Sequence, residues 1–103
     1  MRPFKTAFPP RFLTEYQAGV MGYRYKGVRC LKSPIDMAIT LFALGQLQPR
    51  TIIEIGSQAG GGAMLLADMA AMHGLQTHVY SIDLDPPGGI ARADITFLQG
   101  DVE

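Results

Sequence analysis

Between a β-rich run, Thr51-Ile52-Ile53-Glu54-Ile55, and a helix-like run, Ala63 to His73, the chain reads Gly56-Ser57-Gln58-Ala59-Gly60-Gly61-Gly62. Gly56 lets the backbone turn sharply as it leaves the strand. Gly60, Gly61 and Gly62 leave out side chains where a ligand could approach the main chain. The N-terminus of the following helix presents free N–H groups and partial positive charge, which suits a carboxylate or a phosphate. Two phosphate motifs fail at a chemically necessary residue. A dinucleotide fingerprint needs G-x-G-x-x-G, and Gln58 stands where its second glycine should be. A P-loop needs Lys and Ser/Thr after its last glycine, and Gly62 and Ala63 take those places.

Acidic residues give the pattern its direction. Glu54 lies on the strand before Gly56, where a carboxylate is costly without a partner. A cationic or N–H-rich ligand would supply one; otherwise Glu54 bonds loop backbone or points to solvent. The next strand ends in Ser81-Ile82-Asp83-Leu84-Asp85. In nucleotide-binding α/β folds an acid about 20 residues past the glycine turn accepts the ribose hydroxyls, and Asp83 has that spacing. Its bland alternative is an ordinary loop-capping aspartate, and the same alternative weighs more on Asp85. Gly100-Asp101 follows a third strand and could reach an adenine amino group, although Gly-Asp is also a common turn.

The elements that must hold these residues are legible in outline. Ser33-Pro34-Ile35-Asp36 reads as a helix start, with Ser33 as N-cap, Pro34 at the first position and Asp36 at the positive end. Ile35, Ala38, Ile39, Phe42 and Leu47 share one face at helical spacing, and Pro49 ends the run. Thr51–Ile55 reads as a short buried strand. Ala63–His73 reads as a helix closed by Gly74, Thr77–Ile82 as a second strand and Ile95–Leu98 as a third. The order predicts an α/β fold with three parallel strands. Residues 1–32, broken by Pro3, Pro9 and Pro10 and dotted with aromatics such as Phe4, read as an irregular arm. A short helix near Arg11–Ala18 fits within it. Residues 33–103 read as the domain proper.

Composition narrows the classes. The chain has 103 residues, 48% hydrophobic and 17% charged, a globular balance for one small domain. Nine Lys and Arg offset nine Asp and Glu, so net charge gives no argument for nucleic acid. The local cluster Arg24, Lys26, Arg29 and Lys32 reads as a solvated face. Cys30 has no second cysteine for a disulfide and reads as a small buried hydrophobe. No apolar run is long enough for a membrane span and the N-terminus lacks a secretory core, so the cytoplasm is the default location.

Glu54-Ile55-Gly56-Ser57, the acid Asp83 and Gly100-Asp101 resemble the first three cofactor motifs of class I S-adenosylmethionine-dependent methyltransferases. More narrowly, Lys32-Ser33-Pro34-Ile35-Asp36, Thr51 to Ser57, Gly60-Gly61, Ser81 to Asp85 and Ile95 to Asp101 resemble the cephalosporin hydroxylase family, which includes rhamnosyl O-methyltransferases. The resemblance covers roughly residues 27–103. It implies a partial Rossmann-like fold and S-adenosylmethionine as cofactor, often with a divalent metal such as magnesium that orients an acceptor hydroxyl. By position, Glu54, Gly56 and Ser57 would line the methionine end. Gly60 and Gly61 would lie beneath the cofactor, Asp83 would hold the ribose and Asp101 would lie near adenine. The helix after Asp36 departs from the family, with Ile39-Thr40-Leu41-Phe42-Ala43-Leu44 where an aromatic and an acid are usual. The metal carboxylates of the family fall beyond Glu103.

The expected activity is therefore methyl transfer to an oxygen of a small molecule or sugar, with the acceptor and metal sites outside this chain. The competing class is a non-catalytic binding or interaction module. In the full methyltransferase sheet Thr51–Ile55 is internal, but with three strands it becomes an apolar edge, which natural proteins avoid. Either the chain belongs to a longer protein or another chain, including a second copy, covers that edge. A nicotinamide oxidoreductase would keep the fold but needs the G-x-G-x-x-G fingerprint that this sequence lacks.

Overall fold

A computed structural model describes residues 6–101; Pro3 and Phe4 lie outside the described residues. The elements are α1 (Pro10–Gly22), β1 (Arg24–Tyr25), β2 (Val28–Arg29), α2 (Pro34–Leu47), β3 (Thr51–Ile55), α3 (Gly61–Met72), β4 (His78–Asp83) and β5 (Ile95–Gln99). The last three strands form one parallel sheet in the order β3-β4-β5. The partial Rossmann-like α/β architecture expected from the sequence is the one found.

Residues 10–29 are more regular than an irregular arm. α1 begins at Pro10, a residue whose fixed φ suits a helix start. A two-residue hairpin follows, pairing Arg24 with Arg29 and Tyr25 with Val28. Its turn residues Lys26 and Gly27 have φ of +51° and +80°, the twist that a tight hairpin needs. Lys26 does not advertise this turn in sequence.

α2 starts as its cap predicts: Ser33 Oγ accepts from the Asp36 N–H at 3.0 Å. Its burial is not as the periodicity suggested. Ile35, Ile39, Phe42 and Leu47 are exposed, while Leu44 is buried and Met37 and Leu41 pack toward α3. The helix is apolar on two faces, and only one meets the described chain. β3 likewise is not the buried strand expected, because it forms the sheet edge. Ile53 and Ile55 are each 65% exposed.

The core lies under α3. Ala63, Met64 and Ala67 pack on Val79 and Ile95, and Leu65, Met69 and Ala70 pack on Cys30 and Leu44. Cys30 is 1% exposed, as its reading as a buried hydrophobe requires. Among the described residues no helix is long and apolar enough to cross a membrane.

Candidate functional site

Parallel pairing brings the acidic residues to one end of the sheet. Glu54 lies opposite Ser81 and Ile55 opposite Ile82, so β3 and β4 end side by side. Gly56, with φ +93°, turns the chain away while its N–H still donates to the Ile82 carbonyl at 2.7 Å. A side chain at that φ would be strained.

Glu54 has partners within the sheet. Ser81 Oγ donates to Glu54 Oε1 at 2.6 Å, and Ser81 Oγ and Ser57 Oγ lie 2.7 Å apart. Ser57 and Ser81 are buried. Burial pushes the Glu54 carboxyl above the usual glutamate range, while the Ser81 hydroxyl and the Lys32 ammonium pull it back. Ser81 was not among the residues singled out from sequence. Its place opposite Glu54 follows only from the register.

Asp83 stands at the end of β4 and reaches across the turn. Its Oδ2 accepts from the Gln58 N–H at 2.9 Å and its Oδ1 from the Asp85 N–H at 3.1 Å. The Gln58 N–H, then that of Asp85, hold the Asp83 carboxyl below the usual aspartate range. The Ser57 and Leu84 N–H groups act in the same direction, so backbone from both turns orients the carboxylate. Asp101 is exposed just past β5, whose last residue Gln99 pairs with Asp83.

The three consecutive glycines serve different neighbours. A Cβ on Gly60 would lie 2.5 Å from Ile90 Cδ1. A Cβ on Gly61 would meet the Arg29 carbonyl oxygen and lie 2.9 Å from Cys30 Cβ, so this glycine admits the end of β2. At Gly62 a Cβ would lie 2.8 Å from Glu54 Oε2 and 3.3 Å from Lys32 Cε. Gly60 and Gly61 thus make room for the chain itself, and Gly62 makes room for two charged side chains.

Those charges border a cleft of about 60 Å³ lined by Arg29, Leu31, Lys32, Glu54, Gly56, Ser57, Gln58 and Gly62. That volume takes the polar end of a ligand and falls well below the roughly 300 Å³ at which pockets enclose a whole ligand. A second, mostly apolar cavity of about 370 Å³ lies between α1 and the start of α2, with Tyr16, Tyr23, Met37 and again Lys32 in its wall.

Beyond the cleft, Asp68 on α3 accepts from the Tyr25 hydroxyl and pairs with Lys26 at 2.8 Å and Arg92 at 2.7 Å. Arg92 also binds Asp94 at 2.8 Å. This network ties the hairpin, α3 and the approach to β5 together. It raises Tyr25 to about 12, chiefly through the hydrogen bond to Asp68. Its members lie far apart in sequence, so no local pattern announced it. Among the described residues no three His, Cys, Asp or Glu side chains gather as a metal site, so the residues present do not fit a metal ion.

A parallel sheet with a glycine turn, two acids at its carboxyl end and a helix starting over the cleft is the arrangement of a Rossmann-like α/β protein, whose ligands bind at the carboxyl ends of the strands. Residues 17–96 match the family model for rhamnosyl O-methyltransferase/CmcI, and the chain belongs to that family of S-adenosylmethionine-dependent methyltransferases. It is 35% identical over 80 residues to the rhamnosyl O-methyltransferase of Mycobacterium leprae (strain TN), covering 73% of this chain and 34% of the relative. The corresponding protein of Mycobacterium tuberculosis (strain ATCC 25618 / H37Rv) is 36% identical over 80 residues, covering 73% of this chain and 32% of its own length. Among solved structures, CmcI with SAH superposes with a TM-score of 0.73 at 28% identity, covering 98% of this chain and 57% of that one. CmcI with Mg and SAM gives a TM-score of 0.72 at 31% identity, covering 98% of this chain and 47% of that one. The chain spans about a third of the length of the curated relatives it matches.

Proposed function

We propose that this chain binds S-adenosylmethionine and forms the cofactor-binding part of an O-methyltransferase acting on a small molecule or sugar. The observation that carries this reading is the convergence of Glu54, Ser57, Ser81 and Asp83 at the carboxyl ends of two adjacent parallel strands. The family relationship and the SAH and SAM of the two solved CmcI structures support it.

Glu54, through its outward Oε2, would take the ammonium of the amino-acid end, with Gly56 and Ser57 bordering it. Gly60 and Gly61, whose missing side chains make room for Ile90 and the Arg29 carbonyl, would contribute only backbone at the start of α3. Asp83 would hold the ribose hydroxyls and Asp101 would lie near adenine. The bound cofactor supplies a sulfonium methyl for in-line displacement by an acceptor oxygen. Orientation is the main contribution available to the residues described. Magnesium and acceptor sites would come from outside the described residues, in the length that the relatives have and this chain does not.

The test is titration calorimetry at the length of the natural reading frame, with S-adenosylmethionine, S-adenosylhomocysteine and NAD as ligands. The reading predicts binding of both adenosyl ligands and none of NAD at equal concentration. Binding of NAD alone would contradict it. The interaction-module reading draws on the exposed β3 edge and α2 face, and it predicts no binding of any of the three.

A further inference from the structure

The cleft beside Gly62 holds charges of both signs. Glu54 is its one carboxylate, and Lys32 and Arg29 are its cations. Lys32 is half-buried and forms no ion pair among the described residues. Its backbone is fixed from both sides. Upstream, buried Cys30 donates its N–H to the Tyr23 carbonyl at 3.0 Å. Downstream, Ser33 caps α2. No carboxylate among the described residues comes within ion-pairing distance of this half-buried ammonium on its fixed stem, although Glu54 is near enough for the two charges to act on each other.

Glu54 and Lys32 crowd the same point. The Cβ that Gly62 lacks would touch Glu54 Oε2 at 2.8 Å and Lys32 Cε at 3.3 Å, so both side chains overhang the first turn of α3. Ser81 occupies Glu54 Oε1, which leaves Oε2 on this side. The start of α3 at Gly61 adds partial positive charge beside Lys32. One carboxylate and one ammonium, set side by side in a cleft of about 60 Å³, match one ligand chemistry: the zwitterion of an α-amino acid.

We propose that Lys32 binds the α-carboxylate of the amino-acid end of the cofactor while Glu54 takes its ammonium. This assignment rests on the S-adenosylmethionine reading above and adds a residue to it. The basic cluster around Lys32 is then not one solvated face: Lys26 pairs with Asp68, Arg24 faces the hairpin turn, and Lys32 serves the cleft.

The test compares S-adenosylmethionine with its decarboxylated analogue, which keeps the sulfonium and the ammonium and lacks only the carboxylate. Calorimetry uses the protein at the length of its natural reading frame. Wild type should bind S-adenosylmethionine at least about tenfold more tightly than the analogue. Lys32→Met should weaken S-adenosylmethionine roughly tenfold to a hundredfold and leave the analogue unchanged, so that the preference disappears. Lys32→Arg, which keeps the charge, should retain most of it. A Lys32→Met protein that keeps the preference, or that loses both ligands equally, would overturn the assignment. The second result would place Lys32 with the cavity between α1 and α2 or with the fold. Wild-type protein that binds neither ligand would overturn the cofactor reading itself, and this assignment with it.

Discussion

Asp83 serves the fold through both carboxylate oxygens, and the proposed function gives it the ribose as well. Its two oxygens already accept the N–H groups of Gln58 and Asp85, which fixes their direction before any ribose arrives. Asp83→Ala should therefore lower affinity for S-adenosylmethionine roughly tenfold to a hundredfold, whereas Asp85→Ala should change it less than threefold or so. Calorimetry on the two variants decides, and a larger effect from Asp85 would mean that the ribose sits one turn further along. That Glu54, Gly56, Ser57 and Asp83 gather at one end of the sheet was legible, because it follows from spacing along adjacent segments. Ser81 and Lys32 were not. The first depends on strand register, and the second depends on a hairpin that returns the chain to the cleft.

At the level of elements, the glycine run divides into parts that a mutant pair can separate. Gly61→Ala drives a methyl into the Arg29 carbonyl, a backbone atom that cannot step aside. It should destabilise the chain by about 1–3 kcal/mol, read by urea unfolding. Gly62→Ala meets the ends of two flexible side chains. It should leave unfolding nearly unchanged and weaken cofactor binding. Equal unfolding midpoints for the two variants would contradict this division.

The Asp68 network makes a pH prediction at the same scale. Asp68 is held far below the usual aspartate range, with the Arg92, Lys26 and Tyr25 hydrogen bonds outweighing the opposing effect of burial. A depressed folded value stabilises the fold above the ordinary carboxylate range, and that contribution is lost as pH falls toward the folded value. Wild type should lose stability progressively below about pH 4, and Asp68→Asn should flatten that slope while lowering stability at pH 7. A slope unchanged in the variant would show that other carboxylates set it. The helices and strands themselves were readable from caps, glycines and β-rich runs. The burial of α2 was not, because Ile35, Ile39 and Phe42 make as convincing an apolar face as Met37, Leu41 and Leu44.

For the whole molecule, what stands out is the apolar surface that the described residues leave open. The β3 edge and the outer face of α2 expose Ile35, Ile39, Phe42, Ile53 and Ile55, and unpaired apolar edges recruit partners. Expressed as these 103 residues, the chain should self-associate or be poorly soluble, and it should not transfer methyl groups. Light scattering after size-exclusion chromatography reads the first property, and turnover of S-adenosylmethionine with sugar acceptors reads the second. A clean monomer with turnover would contradict the view that acceptor and metal groups lie elsewhere. Sequence alone reached the architecture because it recurs as strand, glycine turn, helix and strand. It could not show which faces stay open, since that depends on what packs against them.

The proposed function stands or falls on whether the ends of β3 and β4 around Gly56 form the cofactor site. The most direct measurement is a crystal structure of the protein, at the length of its natural reading frame, with S-adenosylhomocysteine bound. The amino-acid end should then lie between Lys32 and Glu54 over Gly62, and the ribose hydroxyls on Asp83. Density for the ligand in the cavity between α1 and α2, with the cleft at Gly56 empty, would contradict it.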